Sequence, residues 1–127
     1  MTSPKFILVV EDDLEIRESL VEILEESGYR ALGAKNGSEA LSKLRAMTEL
    51  PSLILLDLMM PVMDGLSFRR QQRAEPALAG VPTVLISAHS NVKESCAELE
   101  FAEHLRKPID LDKLLALVAK HCAPNAD

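Results

Sequence analysis

Acidic residues follow two apolar segments of this 127-residue sequence, at positions where they could bind a cation together. Glu11 and Asp12 come directly after the apolar residues 6–10, and Asp57 comes directly after residues 53–56. Carboxylates that gather in one place repel one another unless a hard cation or a lysine compensates for their charge. Mg²⁺ binds carboxylate oxygens and keeps several waters, so it can also hold phosphate oxygens. A carboxylate in such a group can attack phosphorus and form an acyl phosphate.

Two further polar residues end apolar segments and would complete a site for a phosphoryl group. Ser87 ends the segment 82–87, and Lys107 ends the segment 101–107. A hydroxyl and an ammonium are suited to binding the remaining phosphoryl oxygens. Each residue alone has an ordinary interpretation: Asp57 as a loop acid, Ser87 as a turn residue and Lys107 as a solvated strand-end charge. Their joint placement with the acidic pair favours the chemical interpretation.

Short apolar segments alternate with amphipathic segments of helical length, which predicts five strands and five helices. The strands are predicted at residues 6–10, 29–34, 53–56, 82–87 and 101–107. The helices are predicted at 14–27, after a cap at Asn36, at 66–74, at 91–99 and after a cap at Asp110. This pattern favours the α/β class, with a parallel sheet covered by helices on both faces. In such sheets, sites form beyond the carboxyl ends of the strands.

Helical spacing also predicts which side chains of the first and last helices face the core. The acidic residue Asp13 is interpreted as the N-cap of the first helix. The predicted apolar positions are Ile16, Leu20, Ile23 and Leu24 in the first helix, and Leu111, Leu114, Leu115 and Val118 in the last.

Length and charge limit the classes of function. The chain fits one domain, residues 1–127 with a core at about 5–122. A net charge of −6 argues against direct nucleic-acid binding, and Arg69, Arg70 and Arg73 are interpreted as a solvated helix face. No apolar run approaches the ~20 residues that span a bilayer. The two cysteines form no disulfide or metal-ligand spacing, so a cytoplasmic location is expected.

Four segments, in this order, resemble the signature segments of response-regulator receiver domains from two-component systems. The resemblance covers nearly the whole chain and is specific as a set. It implies a flavodoxin-like (βα)5 doubly wound fold with strand order 2-1-3-4-5. The segments are residues 7–12 (ILVVED), 55–65 (LLDLMMPVMDG), 84–88 (VLISA) and 107–108 (KP).

The resemblance implies a set of Mg²⁺ ligands, with Mn²⁺ as a substitute ion. Asp12 and Asp57 would bind the metal directly, and Glu11 would hold a metal-bound water. The backbone carbonyl of Met59 would supply a further ligand.

The same resemblance implies the phosphoryl chemistry. Asp57 would be the phosphoacceptor. Ser87 would hydrogen-bond the phosphoryl group and act as a switch residue. Lys107 would pair with Asp57 before phosphorylation and with phosphoryl oxygens afterwards. A cis bond is expected between Lys107 and Pro108.

The implied function is that of a phosphorelay switch rather than a classical enzyme, with autophosphorylation and autodephosphorylation as its intrinsic activities. The donor would be the phosphohistidine of a sensor histidine kinase or of a histidine phosphotransfer protein. Phosphorylation would change the face formed by helix 4, strand 5 and helix 5. That face would control a downstream protein or a fused output domain.

Two features depart from what is usual in the family, and a third position bears on the lifetime of the aspartyl phosphate. The switch position three residues before Lys107, usually aromatic, is His104, which would add sensitivity to pH. The segment 98–101 lacks the usual Gly-Ala turn. Met59, two residues after the acceptor, cannot orient an attacking water, whereas His89 has the side chain to do so. A comparatively long-lived aspartyl phosphate is therefore expected.

Three alternatives remain open at this point. A phosphatase of the haloacid-dehalogenase type also uses an aspartate after a hydrophobic strand, but it needs a second acid where this chain has Met59. A flavodoxin would bind the phosphate of FMN after the first strand, where residues 11–13 (EDD) would repel it. A receiver fold could also serve as a protein-interaction scaffold, although the complete acidic, hydroxyl and lysine set argues against this.

Overall fold

The structure, a computed structural model, describes residues 6–88 and 92–122. Strands and helices alternate throughout this part of the chain, as the apolar pattern predicts. The elements are β1 (Phe6–Val10), α1 (Leu14–Glu26), β2 (Arg30–Ala34), α2 (Gly37–Ala46), β3 (Leu53–Asp57), α3 (Gly65–Ala74), β4 (Thr83–Ser87), α4 (Lys93–Glu98), β5 (Glu103–Arg106) and α5 (Leu111–His121).

The strands form one parallel sheet of order β2-β1-β3-β4-β5, which confirms the predicted flavodoxin-like fold class. The register aligns the carboxyl ends of neighbouring strands: Val10 pairs with Leu56, and Asp57 pairs with Ile86. Ser87 pairs in turn with Arg106. The residues that follow β1, β3, β4 and β5 therefore meet at one edge of the sheet.

The central strands are buried along their whole length, because helices cover both faces of the sheet. One apolar layer joins alternate strand residues to α1 and α5, through Leu24 and Leu114 among others. The opposite layer joins the remaining strand residues to α2 and α3, through Leu41 and Phe68 among others. This close packing makes the sheet a rigid support for its carboxyl edge.

Four helices begin at a capping side chain, which fixes where the loops at the sheet edges end. Asp13 accepts a hydrogen bond from the backbone N–H of Ile16, so its interpretation as a cap is confirmed. The predicted caps of α2 and α5 are also confirmed, and α3 begins one residue earlier than predicted. The further caps are Asn36, Asp64 and Asp110.

Two residues predicted for the core are exposed instead. Ile16 is 40% exposed and Leu111 is 47% exposed. Each lies in the first turn of its helix, beyond the sheet edge, where no strand side chains can cover it. Leu117 is buried on α5 in addition to the predicted Leu114 and Val118.

The interpretation of Arg69 as part of a solvated face is wrong. Its side chain is 5% exposed. The guanidinium donates to the Oε1 of Gln72 at 2.8 Å and to the Oγ1 of Thr83 at 3.1 Å. It also donates to the backbone carbonyl oxygens of Leu99 at 2.9 Å and Glu100 at 2.8 Å. A buried cation needs such acceptors. Gln72 lies on the same helix, whereas the other three acceptors are 14, 30 and 31 residues away along the chain.

Arg73 also contacts the end of α4, close to the carbonyl groups that Arg69 binds. Arg70 is exposed, as predicted. The Nη1 of Arg73 donates to the backbone carbonyl oxygen of Glu98 at 2.9 Å. Glu100 has a φ of 53°, in the left-handed region that side chains rarely adopt. The turn between α4 and β5 therefore forms without glycine, and the two arginines bind its carbonyl groups. Helix α4 is shorter than the predicted 91–99, and residue 91 lies outside the described residues.

Candidate functional site

Three carboxylates meet at the carboxyl edge of the sheet. Oxygen atoms of Glu11, Asp12 and Asp57 all lie within 4.8 Å of one another. Glu11 and Asp57 are each 4% exposed, whereas Asp12 is exposed to solvent. The cluster therefore has a buried side formed by the sheet and an open side that a ligand can approach. The sequence-predicted acidic residues are brought together as expected.

Lys107 is the cation that pairs with this cluster. Its Nζ lies 3.0 Å from the Oδ1 of Asp57 and 3.5 Å from the Oε1 of Glu11. The expected pair between Lys107 and Asp57 is therefore present. The peptide bond from Lys107 to Pro108 is cis, as the resemblance implies.

Burial and mutual repulsion change the ionisation of the cluster. Burial, together with the neighbouring Asp12 and Asp57, raises the pKa of Glu11 to about 7, although the N–H of Asp13 and the ammonium of Lys107 oppose this rise. Burial alone would lower the pKa of Lys107, but its hydrogen bond to Asp57 and the two carboxylate charges raise it overall. The ammonium therefore stays charged while Glu11 competes for a proton near neutral pH.

The donor set fits a hard divalent cation. Three carboxylates face one lysine ammonium, so negative charge remains in excess. Oxygen-only ligands with an open, solvent-facing side match the preference of Mg²⁺, which retains several waters. Burial and the neighbouring acids raise the pKa of Glu11, so nearby positive charge would stabilise its ionised form.

Ser87 lies beside Asp57 at the end of β4. It is 1% exposed, and its backbone carbonyl oxygen accepts a hydrogen bond from the N–H of Lys107 at 2.9 Å. Asp57 pairs with Ile86 in the sheet register. The backbone thus brings Asp57, Ser87 and Lys107 to adjacent positions. The predicted water-orienting residue His89 lies outside the described residues.

Exposed apolar side chains surround the acidic cluster. Met59 and Val62, in the loop after β3, are 64% and 85% exposed, and Leu14, which begins α1, is 56% exposed. Val62 has a φ of 69°, which is strained for a β-branched residue. We call Leu14, Met59, Val62 and the equally placed Leu111 the apolar rim. Isolated exposed apolar residues are common, but these four all lie in loops or helix starts at the carboxyl edge of the sheet.

His104 lies on β5, opposite Leu85 of β4. Burial, with a smaller contribution from Arg106, lowers the pKa of its imidazole. Among the described residues, its Nε2 is a buried polar atom without a hydrogen-bond partner. The imidazole is therefore neutral near pH 7 and points inward at the predicted switch position.

Two residues near the cluster were not identified from the sequence. Gly65 begins α3, and a Cβ there would lie 2.6 Å from the backbone oxygen of Asp57. Only glycine allows this close approach, although the sequence pattern indicates no more than a turn. Arg17 donates from Nη1 to the backbone oxygen of Glu11 at 2.8 Å, a contact for which the sequence carries no signal.

Comparison with protein families and relatives gives a consistent result. The family model described as response regulator receiver domain matches residues 7–119. An uncharacterised 14.6 kDa protein of Leptolyngbya boryana is 36% identical over 118 residues, which cover 91% of this chain and 88% of that protein. The response regulator MprA of Mycolicibacterium vanbaalenii is 38% identical over 89% of this chain. The chain spans about half of the length of MprA, 48%.

Solved structures share the fold. The response regulator receiver protein of Pseudomonas putida superposes with a TM-score of 0.87 at 33% identity, covering 94% of this chain and 99% of that chain. The response regulator TrrA of Thermotoga maritima, solved in complex with Mg²⁺-BeF, gives a TM-score of 0.81 at 33% identity and covers 93% and 99%. Within residues 6–88 and 92–122, no helix has the length and apolar character needed to cross a membrane.

Proposed function

This chain belongs to the response-regulator receiver domain family of two-component signalling, and we propose that it accepts a phosphoryl group on Asp57 from a phosphohistidine donor. The observation that carries this proposal is the position of Asp57. Its carboxylate is buried at the end of a central strand, pairs with Lys107 at 3.0 Å and shares one cluster with Glu11 and Asp12. Receiver domains act mainly as phosphoacceptor switches and not as classical enzymes.

The proposed metal ligands are Asp12, Asp57 and the backbone carbonyl of Met59, with Glu11 holding a water molecule. Bound Mg²⁺, or Mn²⁺ in its place, would neutralise charge on the phosphoryl oxygens. The carboxylate cluster of this chain supports the assignment. The Mg²⁺-BeF complex of TrrA supports it too, because that protein has the same fold at 33% identity.

The proposed transfer requires an attack by Asp57 and a neutralising role for Lys107. A carboxylate oxygen of Asp57 bonds to phosphorus in line with the phosphorus–nitrogen bond of the donor phosphohistidine. That bond breaks, and the imidazole nitrogen keeps the electron pair. The Lys107 ammonium moves from the carboxylate to a phosphoryl oxygen, and the Ser87 hydroxyl donates to another.

The added negative charge would then change a two-state surface. The Ser87 side chain would move toward the phosphoryl group, and His104, on the neighbouring strand β5, would change its position. The face formed by α4, β5 and α5 would thereby control a downstream protein or a fused output domain. The apolar rim fits the docking of a sensor histidine kinase or a histidine phosphotransfer protein, because its exposed residues lie at the same edge of the sheet as the acceptor. These partners place the proposed activity in the cytoplasm.

The test is the intact mass of the protein after incubation with Mg²⁺ and acetyl phosphate. We expect one phosphoryl adduct, which is lost in Asp57→Asn and in the presence of EDTA. Asp13→Asn is the matched control, since it removes a neighbouring carboxylate outside the cluster and keeps a capping side chain. An adduct that persists in Asp57→Asn would contradict the assignment. No adduct from either acetyl phosphate or a phosphohistidine donor would favour the scaffold function.

A further inference from the structure

The geometry points to Arg17 as a positioning residue for the proposed Mg²⁺ site. Its Nη1 donates to the backbone oxygen of Glu11 at 2.8 Å and approaches that of Asp12 at 3.5 Å. Arg17 thereby holds the loop that carries two of the three clustered carboxylates. This role rests on the proposed function, since it concerns the binding of the metal to the same cluster.

Three hydrogen bonds hold Glu11 in addition to its ion pair with Lys107, and Arg17 donates one of them. The backbone N–H of Glu11 donates to the carbonyl of Ala34 on β2 at 3.0 Å. Its carboxylate accepts from the N–H of Asp13 at 3.2 Å. Its carbonyl oxygen is the acceptor for Arg17. Loss of this contact would free the peptide between Glu11 and Asp12, and the two carboxylates would no longer keep their relative orientation.

The guanidinium acts on backbone carbonyls and not on carboxylates. In the part of the chain that the structure describes, Arg17 forms no ion pair within 4.0 Å. Its contribution is therefore orientation of the loop, while its charge by itself would oppose a bound cation. These two effects have opposite signs on Mg²⁺ affinity, which makes the role testable.

Gly33 on β2 provides the space for the Arg17 side chain. A Cβ at Gly33 would lie 2.8 Å from the Cδ and 3.0 Å from the Cγ of Arg17. Gly33 is not among the described residues with a positive φ, so its backbone does not require glycine. The stem of Arg17 lies across this residue, and a larger side chain at Gly33 would displace the guanidinium without changing any charge.

The experiment measures Mg²⁺ binding directly, by titration calorimetry of the purified chain without a phosphoryl donor. We expect Arg17→Met to bind Mg²⁺ about tenfold more weakly, as for other residues that orient metal ligands. Arg17→Lys keeps the charge and one donor group, so its loss of Mg²⁺ affinity should be smaller. Gly33→Val should also weaken binding with the charge intact, whereas Leu32→Val, at an exposed neighbouring position, should not.

A double variant and a stability control separate positioning from general damage. If Gly33 acts through Arg17, the combined Arg17→Met and Gly33→Val variant should bind no more weakly than Arg17→Met. Thermal unfolding in EDTA identifies any variant that is not folded, and Gly33→Val then carries the test. Unchanged or tighter Mg²⁺ binding by folded Arg17→Met, or by folded Gly33→Val, would overturn the role.

The failure of this inference is distinct from failure of the proposed function. A wild-type chain that binds Mg²⁺ and gains the phosphoryl adduct, with an unaffected Arg17→Met variant, contradicts the positioning role alone. A wild-type chain that binds no Mg²⁺ contradicts the proposed metal site and the positioning role together.

Discussion

We predict that Glu11 couples proton binding to the proposed cation binding at the sheet edge. Burial and the neighbouring acids raise its pKa to about 7. Below this pH the protonated form dominates, and a cation must displace that proton before the carboxylate can hold its water. Above this pH the carboxylate is already ionised, so binding becomes less dependent on pH.

We therefore predict that Mg²⁺ affinity falls as the pH is lowered below about 7. One displaced proton corresponds to a loss of about tenfold per pH unit well below the pKa. Calorimetric titration at pH 8, 7 and 6 measures this, and Glu11→Gln is the control because it cannot titrate. A wild-type pH dependence as flat as that of Glu11→Gln would contradict the prediction.

We predict that Met59 governs how long the proposed aspartyl phosphate survives. Its exposed thioether side chain cannot hold a water in line with the phosphorus–oxygen bond. Met59→Asn supplies an amide for one such hydrogen bond, worth about 1 kcal/mol, and should speed dephosphorylation about fivefold. The decay of the mass adduct after removal of acetyl phosphate measures this rate. Val62→Asn, in the same exposed loop, should leave it unchanged; equal rates in Met59→Asn and wild type would show that position 59 does not limit hydrolysis.

At the scale of elements, α3 connects the acceptor to the end of α4. Gly65, its first residue, packs against the backbone of Asp57. One turn later, Arg69 binds the carbonyl groups that follow α4. The helix thus supports both the site and the α4–β5 corner.

Removal of Arg69 should destabilise this corner. Arg69→Met leaves several buried acceptors unsatisfied, and we expect the free energy of unfolding to fall by about 3 kcal/mol. Urea unfolding followed by circular dichroism measures this change. Arg70→Met, an exposed neighbour on the same helix, should change it by less than about 0.5 kcal/mol. Equal stability of the two variants would show that the buried contacts contribute nothing.

The elements themselves could be predicted from the sequence because apolar spacing reflects burial directly. Fully buried strands such as β3 appear as continuous apolar runs, and their ends locate the acidic cluster. Arg69 was predicted wrongly because two of its acceptors, the carbonyls of Leu99 and Glu100, lie 30 and 31 residues away along the chain. Arg17 and Gly65 were missed for a similar reason, since each acts on backbone atoms, which carry no residue-specific signal.

At the scale of the whole molecule, one edge of the sheet combines the acidic cluster with the apolar rim. A phosphohistidine donor must approach Asp57 from this edge, because the sheet buries the other side. Leu14 lies on that approach at the start of α1. Leu50 has a similar exposed character but lies before β3, at the opposite edge of the sheet.

Leu14→Asp should therefore slow phosphotransfer from a histidine kinase or phosphotransfer protein that phosphorylates the wild-type chain. Loss of an apolar contact in the docked complex predicts a reduction of about tenfold in the rate of this phosphotransfer. Labelling with acetyl phosphate should be unchanged, because this small donor needs no docking surface. Leu50→Asp is the control for both donors. An equal loss with acetyl phosphate would indicate damage to the site and not to docking.

The most direct test of the central claim locates the phosphoryl group on the chain. Phosphorylated protein is reduced with borohydride, which converts an aspartyl phosphate into homoserine, and the product is mapped by peptide mass spectrometry. We predict homoserine at position 57, and none in a sample treated with EDTA before phosphorylation. Homoserine at Asp12 or Asp13, or a phosphoryl adduct without any reducible acyl phosphate, would contradict Asp57 as the acceptor.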